Sequence, residues 1–266
     1  MPASYTHHLI AQQTLARMSA ALQRQIAPHL PLYFFGAQGA DFCFFYPVFE
    51  ENNAVNFGSF LHRKGGYDAF AVCKAFSYPL TALFAYSLGY ITHYAADVTF
   101  HPYVYATAGK SPLRHTRVEG ALDNYFKAQF AKPNDYTLRF FHQKLSKAHL
   151  DELFLLYTAI AVNAHFPPLQ KPAFLRAVAL FNKYLPRASA LLHSKDNAII
   201  DNLINKEKRT WTYPSAPEII RQDSGDELLQ KSVDFSIAAV DEFVYATKKR
   251  TPLSFATFGK NYLSGL

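Results

Sequence analysis

Residues 89–102 read Gly-Tyr-Ile-Thr-His-Tyr-Ala-Ala-Asp-Val-Thr-Phe-His-Pro, and the way this stretch is wound decides the rest. His93, Asp97 and His101 stand four apart, so an α-helix sets all three on one face, spread over about 12 Å at a rise of about 1.5 Å per residue. Their neighbours are apolar or aromatic, which predicts a central helix with one polar stripe. The helix is expected to begin near Pro79, whose fixed φ suits a first turn. It should run through Leu83, Leu88, Ile91 and Tyr94 and end where Pro102 forbids continuation.

Outward from that helix, apolar residues recur at helical spacing along nearly the whole chain. No pair of alternating runs is joined by Asn-Gly or Asp-Gly, so the fold class reads as all-α, a multi-helix bundle. A first helix should follow Thr6 as its cap, carry Leu9, Ile10, Leu15, Met18 and Leu22 inward, and stop at Pro28 and Pro31. Between Leu32 and Phe49, eight aromatics surround Gly36, Gly39 and Asp41, and the glycines predict a close approach of backbones. A helix over about 116–130 should follow the loop at Gly109 to Pro112, with Val118, Leu122, Tyr125 and Phe126 on its apolar side, and end at Lys132 to Asp135. Further helices are expected over 136–146, 149–164, 172–184, 187–205 and 225–247, parted by Pro167-Pro168, Pro186 and Pro214 to Pro217. No internal repeat or flexible linker is visible, so residues 1–266 are expected to form a single domain.

Composition bounds the partners. Lys and Arg number 27 against 20 Asp and Glu, a net charge of +7, which favours anionic partners mildly; no block of five basic residues marks a polyanion groove. Cys43 and Cys73 are too few for a disulfide framework and point to a reducing compartment. The opening Met-Pro-Ala-Ser-Tyr-Thr-His-His lacks the basic and apolar regions of a signal peptide. Pro79 to Ile91, the longest apolar stretch, falls short of the roughly 20 residues a membrane span requires. A cytoplasmic protein without a transmembrane segment is therefore expected. Glycine-rich phosphate loops, Gly-x-Ser-x-Gly turns and Cys/His nucleophile pairs are absent from the sequence, which removes those chemistries.

The histidines carry the remaining signal: seven of eleven lie within the first 115 residues. His93, Asp97 and His101 are too widely spread for one ion, but they suit two, with the carboxylate of Asp97 between them. His115 and Glu119, four apart on the next helix, can grip one ion from the same side. A single histidine on an apolar helix is usually a hydrogen-bonded core residue. Three spaced ligand types followed within 18 residues by a second pair make that explanation weak.

In chain order the sequence carries Thr-His near its start, Gly-x-Gln-Gly-x-Asp in an aromatic segment, an isolated His about 20 residues on, His-Tyr-x-x-Asp-x-x-x-His-Pro, and His-x-x-x-Glu. On these residues the chain resembles the zinc-dependent phospholipase C family, whose all-helical fold is shared with zinc-dependent single-strand nucleases. Trp211-Thr-Tyr-Pro and the long helix after it are also similar. The resemblance implies two or three zinc ions. The first would be held by Asp41, His62, His93 and Asp97, the second by His101, His115 and Glu119, and a third by His7 with a share of Asp97. His8 is expected to be a surface or neighbouring group. In secreted members the resemblance implies that the N-terminal residue completes the third site through its amine and carbonyl; here six residues precede His7, so water or another side chain is expected in its place, or else a weakly occupied third site.

The activity implied is hydrolysis of a phosphodiester by a metal-activated hydroxide, with Asp41 or Glu119 orienting it or taking its proton. Phospholipid ranks ahead of nucleic acid as substrate, and peripheral contact with a membrane is compatible with that. The alternatives are a nuclease or nucleotide phosphodiesterase on the same fold, or a metal-binding domain without turnover.

Overall fold

Helices α1 (Ser4–Arg17), α2 (Ala20–Ile26), α3 (Leu30–Gly36), α4 (Ala54–Lys64), α5 (Tyr67–Phe76), α6 (Ala82–Ala108) and α7 (Pro112–Phe130) come first along the chain. They are followed by α8 (Lys147–Asn163), α9 (Lys171–Leu191), the single turn α10 (Asp201–Ile204), α11 (Gly225–Lys249) and the short α12 (Phe255–Phe258). The structure, a computed structural model, describes residues 4–45, 54–64, 66–78, 82–130, 145–167, 169–191, 197–213 and 216–266. The expected start at Pro79, the stop at Lys132 to Asp135 and nearly all of the helix over 136–146 lie outside the described residues. Helices α4 and α5 were not foreseen from the sequence.

The all-α expectation holds, and α6 is its axis. Between Leu83 and Val104 only Thr99 is not fully buried, as a helix covered on all sides must be. Helices α1, α3, α5, α7 and α11 and a small hairpin pack around it. Pro102 does not end it: α6 continues for six residues to Ala108. A proline inside a helix removes one backbone bond and costs about 3 kcal/mol. Here Pro102 is itself buried, and the chain at Gly265 lies so close that a Cβ there would come 2.6 Å from the Val98 carbonyl, the acceptor left by the missing N–H.

Other prolines were also misread as stops. Pro28 sits in a 3-10 turn (Ala27–His29) and Pro31 in the first turn of α3, positions where the missing N–H has no helical partner to lose. Pro112 likewise opens α7 four residues earlier than expected, after Ser111. The backbone of α9 passes through Pro186 without a break, and a single helix over 187–205 is replaced by the end of α9, a 3-10 turn (Asn197–Ile200) and α10. Strands β1 (Trp211–Tyr213) and β2 (Ala216–Arg221) form a two-stranded antiparallel hairpin in which Trp211 faces Arg221. Pro217 therefore lies within a strand, and a strand of an isolated hairpin tolerates it. By contrast, α11 starts where expected, on a capping box in which Ser224 and Glu227 bond each other's backbone.

The first helix departs from expectation at both ends. Thr6 is not its cap but lies inside α1. Asp123 of α7 takes that role, accepting from the backbone N–H of Tyr5 at 3.0 Å and of Thr6 at 2.8 Å, and from the Thr6 hydroxyl at 2.8 Å. A carboxylate at a helix N-terminus satisfies orphan donors and meets the positive end of the dipole. Burial still raises the Asp123 pKa to about 6. At the other end, Ser19 starts a new helix by accepting from Leu22 N–H, and the Gln23 amide donates to the Leu15 and Met18 carbonyls freed at the break.

Two apolar clusters meet along α6. One holds Tyr86, Leu88, Tyr90 and Tyr94 with α3, α5, α8 and α11; the other holds Ala96, Phe100, Tyr103 and Val104 with α1 and α7. The polar stripe from His93 to His101 lies where they join. Helix α3 approaches α6 so closely that a Cβ on Gly89 would fall 1.9 Å from the Tyr33 carbonyl oxygen, and one on Gly36 would fall 2.2 Å from that of Tyr86. This is the close approach that the glycines predicted, and it fixes the position of the segment carrying Asp41.

Two stability measurements check this packing. Gly89→Ala should force the helices apart and lower the unfolding free energy by about 2–3 kcal/mol, whereas an unchanged denaturation midpoint would contradict the contact. Asp123→Ala should cost about 1–3 kcal/mol by stranding buried donors, and Asp123→Asn, which keeps an acceptor, should cost less.

Candidate metal centre

Asp41 enters the site from the turn that ends α3. Gln38 N–H donates to the Phe35 carbonyl and Gly39 N–H to that of Gly36, at 3.0 and 2.7 Å. The tight turn needs a positive φ, +55° at Gly39, a conformation that costs other residues about 1–2 kcal/mol. The same glycine leaves room for the His93 ring, since a Cβ there would lie 2.1 Å from the ring's Cδ2. Its carbonyl is held by the Tyr157 hydroxyl at 3.2 Å, and Tyr157 accepts in turn from Tyr86 at 2.6 Å. Asp41 then begins a 3-10 turn (Asp41–Phe45) that packs on α4 and α9, with its carboxylate 3.9 Å from His93 of α6.

All eight residues singled out in the sequence converge. Oδ1 of Asp97 lies 3.3 Å from His7 Nε2, while its Oδ2 lies 3.3 Å from His93 Nε2 and 3.5 Å from His62 Nε2. His62 Nε2 is 3.2 Å from Asp41 Oδ1. A step further along, Oε1 of Glu119 is 3.5 Å from His101 Nε2 and 2.9 Å from His115 Nε2. Three groups form, in each of which the potential ligand atoms lie within 4.8 Å of one another: His7, His93 and Asp97; Asp41, His62 and His93; His101, His115 and Glu119. His93 belongs to two of them, and Asp97 faces His7 with one oxygen and His62 and His93 with the other.

Several observations fit these groups to zinc. Most of the imidazole–carboxylate separations exceed a good hydrogen bond but match the spacing of two ligands on one tetrahedral zinc, about 3.4 Å for bonds of about 2.1 Å. Both ring nitrogens of His93, Oδ2 of Asp41 and Oδ2 of Asp97 are buried without a hydrogen-bond partner among the described residues, and such groups call for an explanation. Asp41 and Asp97 are each 3% exposed, yet among the described residues no Lys or Arg pairs with either, so a cation is the natural counterpart. His62 Nδ1 donates to the Gly58 carbonyl at 2.7 Å and His101 Nδ1 to that of Tyr262 at 3.0 Å. In the neutral ring each bond selects the tautomer whose Nε2 lone pair faces the site.

The electrostatics agree. Burial lowers the pKa of His7 to about 4 and pushes His93 well below the usual range, so both are neutral imidazoles, the form that binds metal. Burial also opposes a charge on His101 more than Glu119 favours one. At His62 burial is outweighed by the hydrogen bond and charge of Asp41, and the pKa rises. Burial and then the charges of Asp41 and Glu119 drive Asp97 well above the carboxylate range. Burial acts on Glu119 in the same sense, but His115 and His101 overcome it and hold that carboxyl low.

Of the two expectations for His8, a surface position fails and a place behind the site stays open. The residue is buried, its ring 4.6 Å from that of Phe34, because α1 packs against α6, α7 and α11 and every residue from Ser4 to Ala11 is covered. The residues that position the ligands were missed. Asp123 stands one turn beyond Glu119, so its i+4 spacing was a usable signal. The Gly58 and Tyr262 carbonyls had none, as backbone acceptors carry no sequence signature. A cleft of about 440 Å³ opens onto the site, lined by Asp41, His62, Asp97 and Glu119 at its base and by Phe44, Arg63, Tyr105, Lys110 and Leu263 toward its mouth.

The family profile described as zinc dependent phospholipase C matches residues 6–166, more than half of the chain and the span that holds all eight residues. Comparisons with curated proteins and with solved structures return no match. Among the described residues no helix is long and apolar enough to cross a membrane. With an all-helical fold and three imidazole–carboxylate groups suited to zinc, the chain belongs to the zinc-dependent phospholipase C family.

Proposed function

We propose that this protein is a phosphodiesterase of phospholipase C type, acting on glycerophospholipid, with His7, Asp41, His62, His93, Asp97, His101, His115 and Glu119 as ligands for up to three zinc ions. The observation that carries this reading is that members of all three donor groups line one cleft, that two of the groups are linked through His93 and the two oxygens of Asp97, and that His101 of the third stands 3.8 Å from Asp97. Bound zinc supplies Lewis acidity, activating a water near neutral pH and neutralising charge on a phosphate.

The chain's own residues would do the rest. Asp41 lines the cleft and has an oxygen without a hydrogen-bond partner among the described residues, so it is the group we assign to orient the attacking water and take its proton. Glu119 is less suited to that task, because His115 and His101 hold its carboxyl low and a weak base accepts a proton poorly; we assign it to binding. Tyr157, through the Gly39 carbonyl, and Tyr262, through His101, would hold the ligands in register. Phe44 and Leu263 give the mouth an apolar wall for the glyceride, while Arg63 and Lys110 face the phosphate's charge. Those two cations and Tyr105 also favour a second reading, cleavage of single-stranded nucleic acid.

The test compares release of diacylglycerol from phosphatidylcholine with cleavage of single-stranded DNA under identical zinc. Lipid turnover that is abolished by a chelator and restored by zinc is expected; DNA turnover alone would select the second reading, and zinc binding without either would leave a metal-binding domain. Asp97→Asn should remove at least one zinc, counted by native mass spectrometry, and cost more than the 10–100-fold loss typical of residues that only support a ligand. His8→Ala should keep the full zinc complement, and equal zinc loss in both variants would argue against a bridging role for Asp97.

A further inference from the structure

We infer that the first two turns of α7 dock the cleft mouth onto an anionic lipid surface, with Leu113 inserted and Lys110, Arg114 and Arg117 on the headgroups. This rests on the phospholipid reading above and specifies the surface on which it would operate. Leu113, Arg114 and Arg117 follow helical spacing, so they form one stripe, while His115, Val118, Glu119 and Leu122 turn inward on the opposite side of the same helix. Leu113 is 78% exposed, the most exposed large hydrophobic side chain among the described residues. Lys110, Arg114 and Arg117 are all exposed and make no ion pair among the described residues.

The position of this stripe singles it out. Lys110, Ser111, Pro112 and His115 line the cleft, so a surface bound by the stripe lies against the opening. Two other exposed apolar side chains stand beside acidic residues instead: Leu155, 58% exposed, follows Asp151 and Glu152 by one turn, and Tyr245, 61% exposed, follows Asp241 and Glu242 in the same way. Acidic neighbours would repel an anionic bilayer, whereas three unpaired cations around an apolar side chain complement one in both charge and polarity.

The experiment is co-sedimentation of the zinc-loaded protein with vesicles of uncleavable phosphonate lipids, either all phosphatidylcholine analogue or about one-third phosphatidylglycerol analogue. Binding should require the anionic lipid and weaken in about 0.5 M salt. Arg114→Glu with Arg117→Glu should weaken it by at least about fivefold per residue, and Leu113→Ser by about tenfold. Zinc content and thermal midpoint serve as checks on folding, which these exposed positions should not disturb. Binding indifferent to lipid charge, or unaffected by these substitutions, would overturn the proposal, as would stripe-dependent binding of a single-stranded oligonucleotide without vesicle binding. Hydrolysis of a water-soluble phosphodiester is measured in parallel. Turnover without vesicle binding defeats the docking alone, and stripe-dependent vesicle binding without turnover leaves the docking standing while the hydrolase reading fails.

Discussion

A carboxylate buried at the centre of an otherwise apolar helix governs this structure. Asp97 sits on a helix that is covered on nearly every face, where an isolated charge is too costly to keep. What surrounds it is a ring of imidazoles drawn from three helices: His7 of α1, His62 of α4 and His93 of α6 itself. Burial makes most of these rings neutral, so they offer lone pairs rather than positive charge, and the arrangement is suited to a cation rather than to a salt bridge. Family membership supplies the identity of that cation, and the ligand spacing is consistent with it.

The bundle is built to hold this cluster in place. Glycines let α3 lie directly on α6, which brings Asp41 to the polar stripe. Asp123 docks the start of α1 on α7 and so places His7. The Gly58 and Tyr262 carbonyls orient the rings of His62 and His101 from behind, while a relay of tyrosine hydroxyls holds the Gly39 turn. Part of this support comes from beyond the span matched by the family profile: Tyr262 lies almost a hundred residues past its end, yet its carbonyl sets the tautomer of His101. The candidate ligands and the residues that aim them therefore come from both ends of the chain.

Much of the candidate site was legible because metal ligation repeats a simple geometry. Residues four apart on a helix share a face, so His93, Asp97, His101 and the His115–Glu119 pair could be read from spacing alone, while His7, Asp41 and His62 needed the resemblance to a family. Proline was the least reliable signal. Pro28, Pro31 and Pro112 sit at helix starts, and Pro102 lies within a helix whose surroundings cover the lost bond; position relative to the first turn, not the residue type, decides the outcome. The hairpin at Trp211 and the burial of His8 were invisible, because neither follows from local pattern.

The order of residue types along this chain determined an all-α bundle, a polar stripe within its central helix and the His115–Glu119 pair on the next, since these depend only on helical periodicity and on which side chains can bind metal. Only the tertiary structure decided how the stripe is closed: which imidazole meets which carboxylate oxygen, which carbonyl fixes each ring, and that Asp123 rather than Thr6 caps the first helix. Those contacts join residues more than a hundred positions apart in some cases. Their distances are set by how helices pack against one another, a property of the assembled core that no local stretch of sequence contains.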